Sequence, residues 1–331
     1  RSTSPAMEAM EDGLEAAILQ QERLVMCSEL ESFLKTDVPH LLKQSISFLE
    51  AAIHRMRCVS VDTDLNGEPF LVDRASMVFL ESSDRELVGS LRLSEGHVND
   101  FDINLRLPKY SKGTNLHFSI APKSSHLLIQ VQAAIHDAER SSDEVAKAST
   151  IRAATASLPP PTSPSSSAAR LSSLAATARQ VIRSCAAAKR LLDLSRRHME
   201  DWKPLVLPST PHGWIRMDPP LPSDLLLQVY MDGGQCVLRL FHIQVHNKAP
   251  FGKAHAVVGA AASKLKGTVM PHKTRWIEVV DAYEARSDVA EMHRALNDLE
   301  SARQSLDCLI DSAEALCAAV SHEIVLSGAD A

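Results

Sequence analysis

The sequence predicts an α+β protein: an elongated two-domain molecule, an antiparallel helical bundle joined to an antiparallel β domain. Three observations predict it. Stretches at both ends and in the middle repeat apolar residues at steps of three and four, the period of a helix with one buried face. Stretches between them alternate apolar and polar residues, the period of a half-buried strand. Aromatic residues are only 4% of the 331, so the core is mainly Leu, Val, Ile and Ala, which favours helix-on-helix packing over a large β-sandwich. The expected bundle is discontinuous, residues 7–58, 124–202 and 288–322. The expected β domain is 59–122 plus 204–285, and 157–167 is expected to be a disordered Pro/Ser linker.

From about Met7 to Met56, Leu14, Ile18, Val25, Leu34, Val38, Leu42, Leu49 and Ile53 mark one helical stripe. Pro39 lacks an N–H and crowds the preceding turn, so a break or kink is expected near Thr36-Asp37. Val59 to Asp62 can start a strand, and Asn66-Gly67 marks a turn. Ser76–Leu80 and Leu87–Leu93 read as short strands, and Glu95-Gly96 turns the chain. Asp100 to Leu107 alternates strictly, with Phe101, Ile103, Leu105 and Leu107 on one face. Leu116, Phe118 and Ile120 continue what reads as an antiparallel meander.

Ser124 to about Ala156 and Ala168 to about Trp202 are helical again, a helical hairpin whose tip is SLPPPTSPSSS. That tip, Ser157–Ser167, is expected to be neither helix nor central strand, because consecutive prolines fix φ and remove donors. After a proline-punctuated run comes the clearest β signal, Leu225–Met231, Asp232-Gly233-Gly234, Cys236–Val245. A two-residue loop at Asp232-Gly233 or at Gly233-Gly234 gives the same facing. Leu225, Leu227, Val229 and Met231 then share an apolar face with Cys236, Leu238, Leu240 and His242. The other face, with Gln228, Tyr230, Arg239 and Phe241, is mixed. Residues 247–273 read as a loop carrying a short strand at Ala256–Val258, and Trp276–Tyr283 as a further strand. Asp288 is expected to cap a terminal helix with a 3-4 repeat at Leu296, Leu299, Leu306, Ile310, Ala313, Cys317 and Val320, interrupted by Arg303. Those heptads admit two uses, packing within a bundle or pairing between chains; the bundle is the expected one.

The formal net charge is −6 and no basic block stands out, so nucleic acid is not an expected partner. No apolar run is long enough to span a bilayer, so no transmembrane segment is expected. The first residues lack the apolar stretch of a signal peptide. Six cysteines, Cys27, Cys58, Cys185, Cys236, Cys308 and Cys317, form no CxxC pair, and several sit where free cysteine acts as a small hydrophobe. This pattern reads as a reducing, cytoplasmic compartment.

Signals for chemistry are sparse. His242 and His246 share a face of one strand, but zinc needs a third or fourth ligand, for which His255 and His272 are the nearest in sequence. Gly252-Lys253 lacks the upstream glycine of a phosphate loop, and Ala254 stands where its Ser/Thr belongs. Asp62, Asp64, Asn66 and Gly67 resemble the start of a calcium loop, but Asp73 stands where the closing Glu belongs. No catalytic residue, cofactor or metal site is therefore expected. Leu221, Pro222, Ser223 and Asp224, on the approach to the hairpin, are the candidate partner-binding residues, although Ser223-Asp224 reads first as a local side-chain-to-backbone turn.

Several blocks also resemble one family. LPSDLLLQVY, a short turn and VLRLFHIQVH are similar to the central segment of Rogdi proteins. Ser28–Ala52 is similar to their N-terminal helix, and Glu86–Pro108 with Asn115–Ile120 to their first β segment. The resemblance implies a non-enzymatic small subunit of a RAVE-type regulator that re-joins the sectors of the vacuolar proton-translocating ATPase. It implies a large WD-repeat scaffold as partner, in fungi a Skp-type adaptor, indirect contact with the ATPase sectors, and peripheral recruitment to vacuolar or endosomal membranes. The runner-up expectation is a metal-binding or enzymatic protein using His242 and His246. The tip at 157–167 and residues 247–275 depart from the family pattern, and no binding residue is carried over to them.

Overall fold

The computed structural model describes residues 5–57, 59–63, 69–73, 76–107, 114–122, 124–155, 164–201, 215–248, 254–255, 266–272 and 275–328. The fold is α+β, with helices and a curled antiparallel sheet. The helices are α1 (Pro5–Ser32), α2 (Val38–Met56), α3 (Ile129–Thr155), α4 (Pro164–Glu200) and α5 (Ala290–Gly328). The strands are β1 (Val59–Thr63), β2 (Pro69–Asp73), β3 (Ser76–Glu81), β4 (Leu87–Ser94), β5 (His97–Leu105), β6 (Leu116–Ile120), β7 (His126–Leu127) and β8 (Met217–Asp218). They continue with β9 (Leu225–Asp232), β10 (Gln235–His246), β11 (Ala254–His255), β12 (Thr268–His272) and β13 (Arg275–Asp288). The chain forms two compact units, 1–50 with 139–192 and 299–331, and 51–138 with 193–298.

The first unit is helical. α1 runs into α2 through a π-helical turn, Phe33–Asp37, where the N–H of Val38 reaches back to the carbonyl of Phe33. The expected break is therefore a local widening. Pro39 has no N–H to give, and its ring would crowd the carbonyl four residues earlier; one inserted residue relieves both. The insertion is visible in the buried stripe, which steps by four three times, Leu30, Leu34, Val38, Leu42, before resuming its three-four alternation. Among the described side chains the stripe begins at Cys27: Leu14, Ile18 and Val25, expected in the core, lie in water.

α4 buries Leu171, Leu174, Ala178, Val181, Cys185, Ala188 and Leu192 at strict three-four steps. Its first residue is Pro164, so the last part of the predicted linker is helical; proline suits a first turn, whose N–H groups have no intrahelical partner. Residues 157–163 lie outside the described residues. α5 buries Leu299, Ala302, Leu306, Leu309, Ala313, Cys317 and Val320. Leu296 and Ile310, expected in that stripe, are only half-buried, and Arg303 flanks it, bonded to Glu300 and Asp307. The alanines keep the seams shallow, so backbones approach closely: Ser141 Oγ donates to the Ala188 carbonyl across α3 and α4 at 3.0 Å. Arg170 meets Glu31 of α1 at 2.7 Å, and Lys189 pairs with Asp307 of α5. α4 thus touches α1, α3 and α5, and the seam of α5 is covered within the chain.

The second unit is the sheet with its attached helix ends. β3 to β6 form the predicted meander, β8 extends it beyond β6, and β7 pairs with β5. β13 joins the two sequence-distant β segments: it pairs along its length with β10, at one end with β12, and at Arg286–Glu81 with β3. It runs five residues past Tyr283. Asp288 therefore closes a strand instead of capping a helix, and its carboxylate bonds Gln235 and His293. β12 and β11 fall where a mostly irregular loop was expected; residues 256–258 lie outside the described residues. β1 and β2 pair separately, and β11–β12 is parallel.

The β9–β10 hairpin has the predicted facing, with Leu225, Leu227, Val229 and Met231 opposite His242, Leu240, Leu238 and Cys236. Its turn is Gly233-Gly234, with φ of +57° and +87°. A side chain at Gly234 would come within 2.6 Å of the His293 ring, so glycine is needed there for space as well as for backbone angle. The tip is tied down on several sides: Gly233 N–H donates to the Met199 carbonyl at 3.0 Å, Val289 N–H to Gly234 at 3.0 Å, and Gln130 Nε2 to Met231 at 2.5 Å. These bonds are why the ends of α3, α4 and α5 belong to this unit. The second face of the hairpin is mixed in composition, as expected, and it is buried as well. Gln228, Tyr230, Arg239 and Phe241 are all buried, and Leu226, Phe241, Ile243, Ile277 and Val279 form a core on it. Among the described residues, no helix is long and apolar enough to cross a membrane.

Candidate functional site

The hairpin and its approach hold the four candidate partner-binding residues, Leu221–Asp224, and the histidines His242 and His246. A cis peptide at Asp218-Pro219 precedes the approach. Leu225 N–H donates to the Pro222 carbonyl at 2.9 Å, closing a turn with Ser223 and Asp224 at its corner. The Asp224 carbonyl accepts Ile243 N–H at 2.8 Å, and its carboxylate lies 3.8 Å from His242 Nε2. Ser223 is exposed, while Leu221, Pro222 and Asp224 are half-buried. The four residues thus form a fixed corner whose inner side shapes the start of β9 and whose outer side faces solvent.

Among the described residues, His242 and His246 are not joined by further metal ligands. His246 Nε2 lies 3.2 Å from Glu278 on β13. Among the described residues, no group of three or more His, Cys, Asp or Glu stands as metal ligands do. The side chains of His255, His272, Asp62 and Asp73, residues 64–67 and 250–253, and Cys58 lie outside the described residues.

What the sequence did not reveal is a charged ladder on the second hairpin face. Strand register sets Arg239 between Gln228 and Glu284, and Arg286 opposite Val237. Arg239 Nε donates to Glu284 at 2.6 Å and lies over the Tyr230 ring at 5.1 Å. Arg286 bonds Glu284 at 2.6 Å and Asp232 at 2.8 Å. Burial alone would raise the Glu284 carboxyl, but the hydrogen bonds from Arg286 and Arg239 outweigh it and hold the carboxyl below its usual range. Lys266 pairs with Asp281. A reading that treated the strands singly had no means of finding this ladder, because Arg239 and Glu284 stand 45 positions apart.

Burial pushes Tyr230, Tyr283, Cys185 and Cys236 up to about 12, which suppresses the ionised, nucleophilic form of each. The ladder therefore consists of mutually neutralised charges inside a sheet, an arrangement suited to fixing register.

Comparison with protein-family profiles matches residues 29–288 to the Rogdi leucine zipper containing protein family. The chain belongs to the Rogdi family. The match covers the π turn, both β segments and the hairpin, and ends at the last residue of β13. Comparison with curated proteins finds no match. In this Rogdi-family chain the zipper-like seam of α5 lies beyond the matched range, and so do the exposed Leu14, Ile18, Leu24 and Val25 of α1.

Proposed function

We propose that this Rogdi-family chain is a non-catalytic subunit of a RAVE-like complex. In that role it promotes assembly and reassembly of the vacuolar proton-translocating ATPase by scaffolding other proteins. The observation that carries the reading is the family match over residues 29–288. The site geometry is compatible with it: the ladder of Arg239, Glu284, Arg286 and Asp232 stiffens the hairpin, and the corner at Leu221–Asp224 offers a fixed surface. On this reading the chain acts by orientation, binding the large WD-repeat scaffold subunit and, in a fungal setting, a Skp-type adaptor, and reaching the ATPase sectors through them. Recruitment to vacuolar or endosomal membranes follows from those partners.

The test has two arms. The purified chain is expected to bind the purified WD-repeat scaffold, and cells lacking the gene are expected to reacidify their vacuoles more slowly after glucose is restored. Normal reacidification together with no ATPase-associated partner in pull-downs would sink the reading.

A further inference from the structure

Two serines in this sequence are followed by carboxylates at both the first and the third position, Ser28 with Glu29 and Glu31, and Ser83 with Asp84 and Glu86. An acid-directed protein kinase selects that spacing by charge: its basic cleft holds the substrate as an extended strand, in which those two positions fall on one side. The fold separates the two serines. Ser28 lies inside α1, whose backbone would have to unwind to enter such a cleft, and the Glu31 carboxylate is held by Lys35 and Arg170. Ser83 lies in the turn between β3 and β4, and Ser83, Asp84 and Arg85 are all exposed.

The turn also distinguishes Ser83 from its neighbour. Ser82 is buried, and its hydroxyl accepts the Leu87 N–H at 3.1 Å. Its own N–H donates to the Leu87 carbonyl at 2.8 Å, which closes the hairpin stem and leaves Ser83 to Glu86 beyond it. Straightening the turn costs little. The bond from Arg85 N–H to the Ser82 carbonyl, 3.0 Å, is lost, but Arg85 also leaves a φ of +54°, a region that disfavours residues with side chains. The Arg85–Glu81 ion pair, 2.7 Å, is 83% and 53% exposed and adds little resistance. Glu86, half-buried, keeps its carbonyl bond to Arg106 N–H at 2.8 Å, a contact an extended backbone can retain.

We propose that Ser83 is a phosphorylation site for an acid-directed serine kinase. The Ser83 Oγ attacks the γ-phosphorus of ATP, the bond from that phosphorus to its bridging oxygen breaks, ADP leaves, and the hydroxyl proton passes to the catalytic aspartate of the kinase. The phosphate adds about two negative charges to the turn. They arrive close in sequence to Glu81, the residue at which β3 pairs with Arg286 of β13, so the modification falls where the two β segments join.

The test incubates the purified full-length chain with a purified acid-directed serine kinase, ATP and magnesium. Intact mass gives the phosphate taken up, and peptide mass spectrometry gives its position. The wild type should take up a single phosphate, on Ser83. Ser83→Ala should take up none and keep the wild-type melting temperature, since the side chain is exposed. The double variant Asp84→Asn/Glu86→Gln should be modified at least about tenfold more slowly, because two charge contacts with the cleft are gone. No uptake by the wild type, or equal uptake by Ser83→Ala, overturns the proposal. Phosphate on Ser28 in place of Ser83 overturns it as well, since the helix would then not protect that serine. A double variant modified as fast as the wild type overturns the acid-directed assignment.

Discussion

His126 lies buried in β7, opposite Val98, where burial, with a smaller contribution from His97, pushes its imidazole down from 6.5 to about 4. The unfolded chain takes up a proton as pH falls through 6.5, while the folded chain refuses it until about 4. Between those values the unfolded state binds more protons, so stability is greatest above the upper one and falls as pH falls through the window. The shift corresponds to a loss on the order of 3 kcal/mol. Carboxylates held low by ion pairs, such as Glu31 and Glu284, add losses of their own in acid. Comparison with His126→Leu isolates the histidine: urea unfolding should give the variant a flatter stability curve across the window. Equal slopes for both proteins would show that His126 is solvated. Nothing in the sequence marks this residue. The stretch beginning at Ser124 reads as the start of a helix, and what buries His126 is a strand nearly thirty positions earlier. Gly233 and Gly234 are the opposite case, legible because a tight turn is written in adjacent residues.

At the scale of single elements, periodicity located most helices and strands, and of the seven seam residues it marks on α5 five are buried and two, Leu296 and Ile310, are not. Large residues on α5 suggest a stripe through Leu296 and Ile310, interrupted by Arg303. The packed stripe keeps Leu299, Leu306, Ala313, Cys317 and Val320 but fills the remaining places with Ala295, Ala302 and Leu309, and Arg303 flanks it. Size misled the pattern: where helices approach closely an alanine fills the seam, while a long side chain lies along its edge. The two alignments make opposite predictions for neighbouring positions. Leu309→Ala empties a fully buried site and should cost about 2–5 kcal/mol, whereas Ile310→Ala, at a half-buried site, should cost roughly 1 kcal/mol. Denaturant midpoints of the two variants decide between them, and a larger cost at Ile310 would restore the alignment read from the sequence. The strands show the same limit. Alternation marks the inward face of β5, but neither the burial of β9 and β10 on both faces nor the pairing of β10 with β13 is encoded in a local pattern.

For the whole molecule, the informative fact is how the chain is shared out. The helical unit uses three separate segments, including both ends of the sequence, and the sheet unit uses two. The α+β class was legible because each segment carries its own period, and one β domain made from both β segments was expected; which strands join them was not legible, because β13 meets β3 and β8 meets β6 only in the folded chain. This division predicts how a truncation fails. Removing residues 299–331 takes away the buried stripe of α5 but leaves Asp298, its bond to Arg55, and every pairing partner of β9, β10 and β13. Leu299, Leu306, Leu309 and Val320 together contribute roughly 8 kcal/mol of burial, comparable with the net stability of an ordinary domain. The truncated chain should therefore lose amide hydrogen-exchange protection in α4 from Leu171 to Leu192, which meets α5 at Ala175–Cys317 and Lys189–Asp307. Protection in β9, β10 and β13 should persist, since the hydrogen bonds of those strands lie wholly within 51–138 and 193–298. Exchange read segment by segment by mass spectrometry separates the outcomes: an α4 protected as before would mean that its packing does not depend on α5, and loss of protection in the hairpin as well would mean that the sheet unit is not stable without the intact terminal helix.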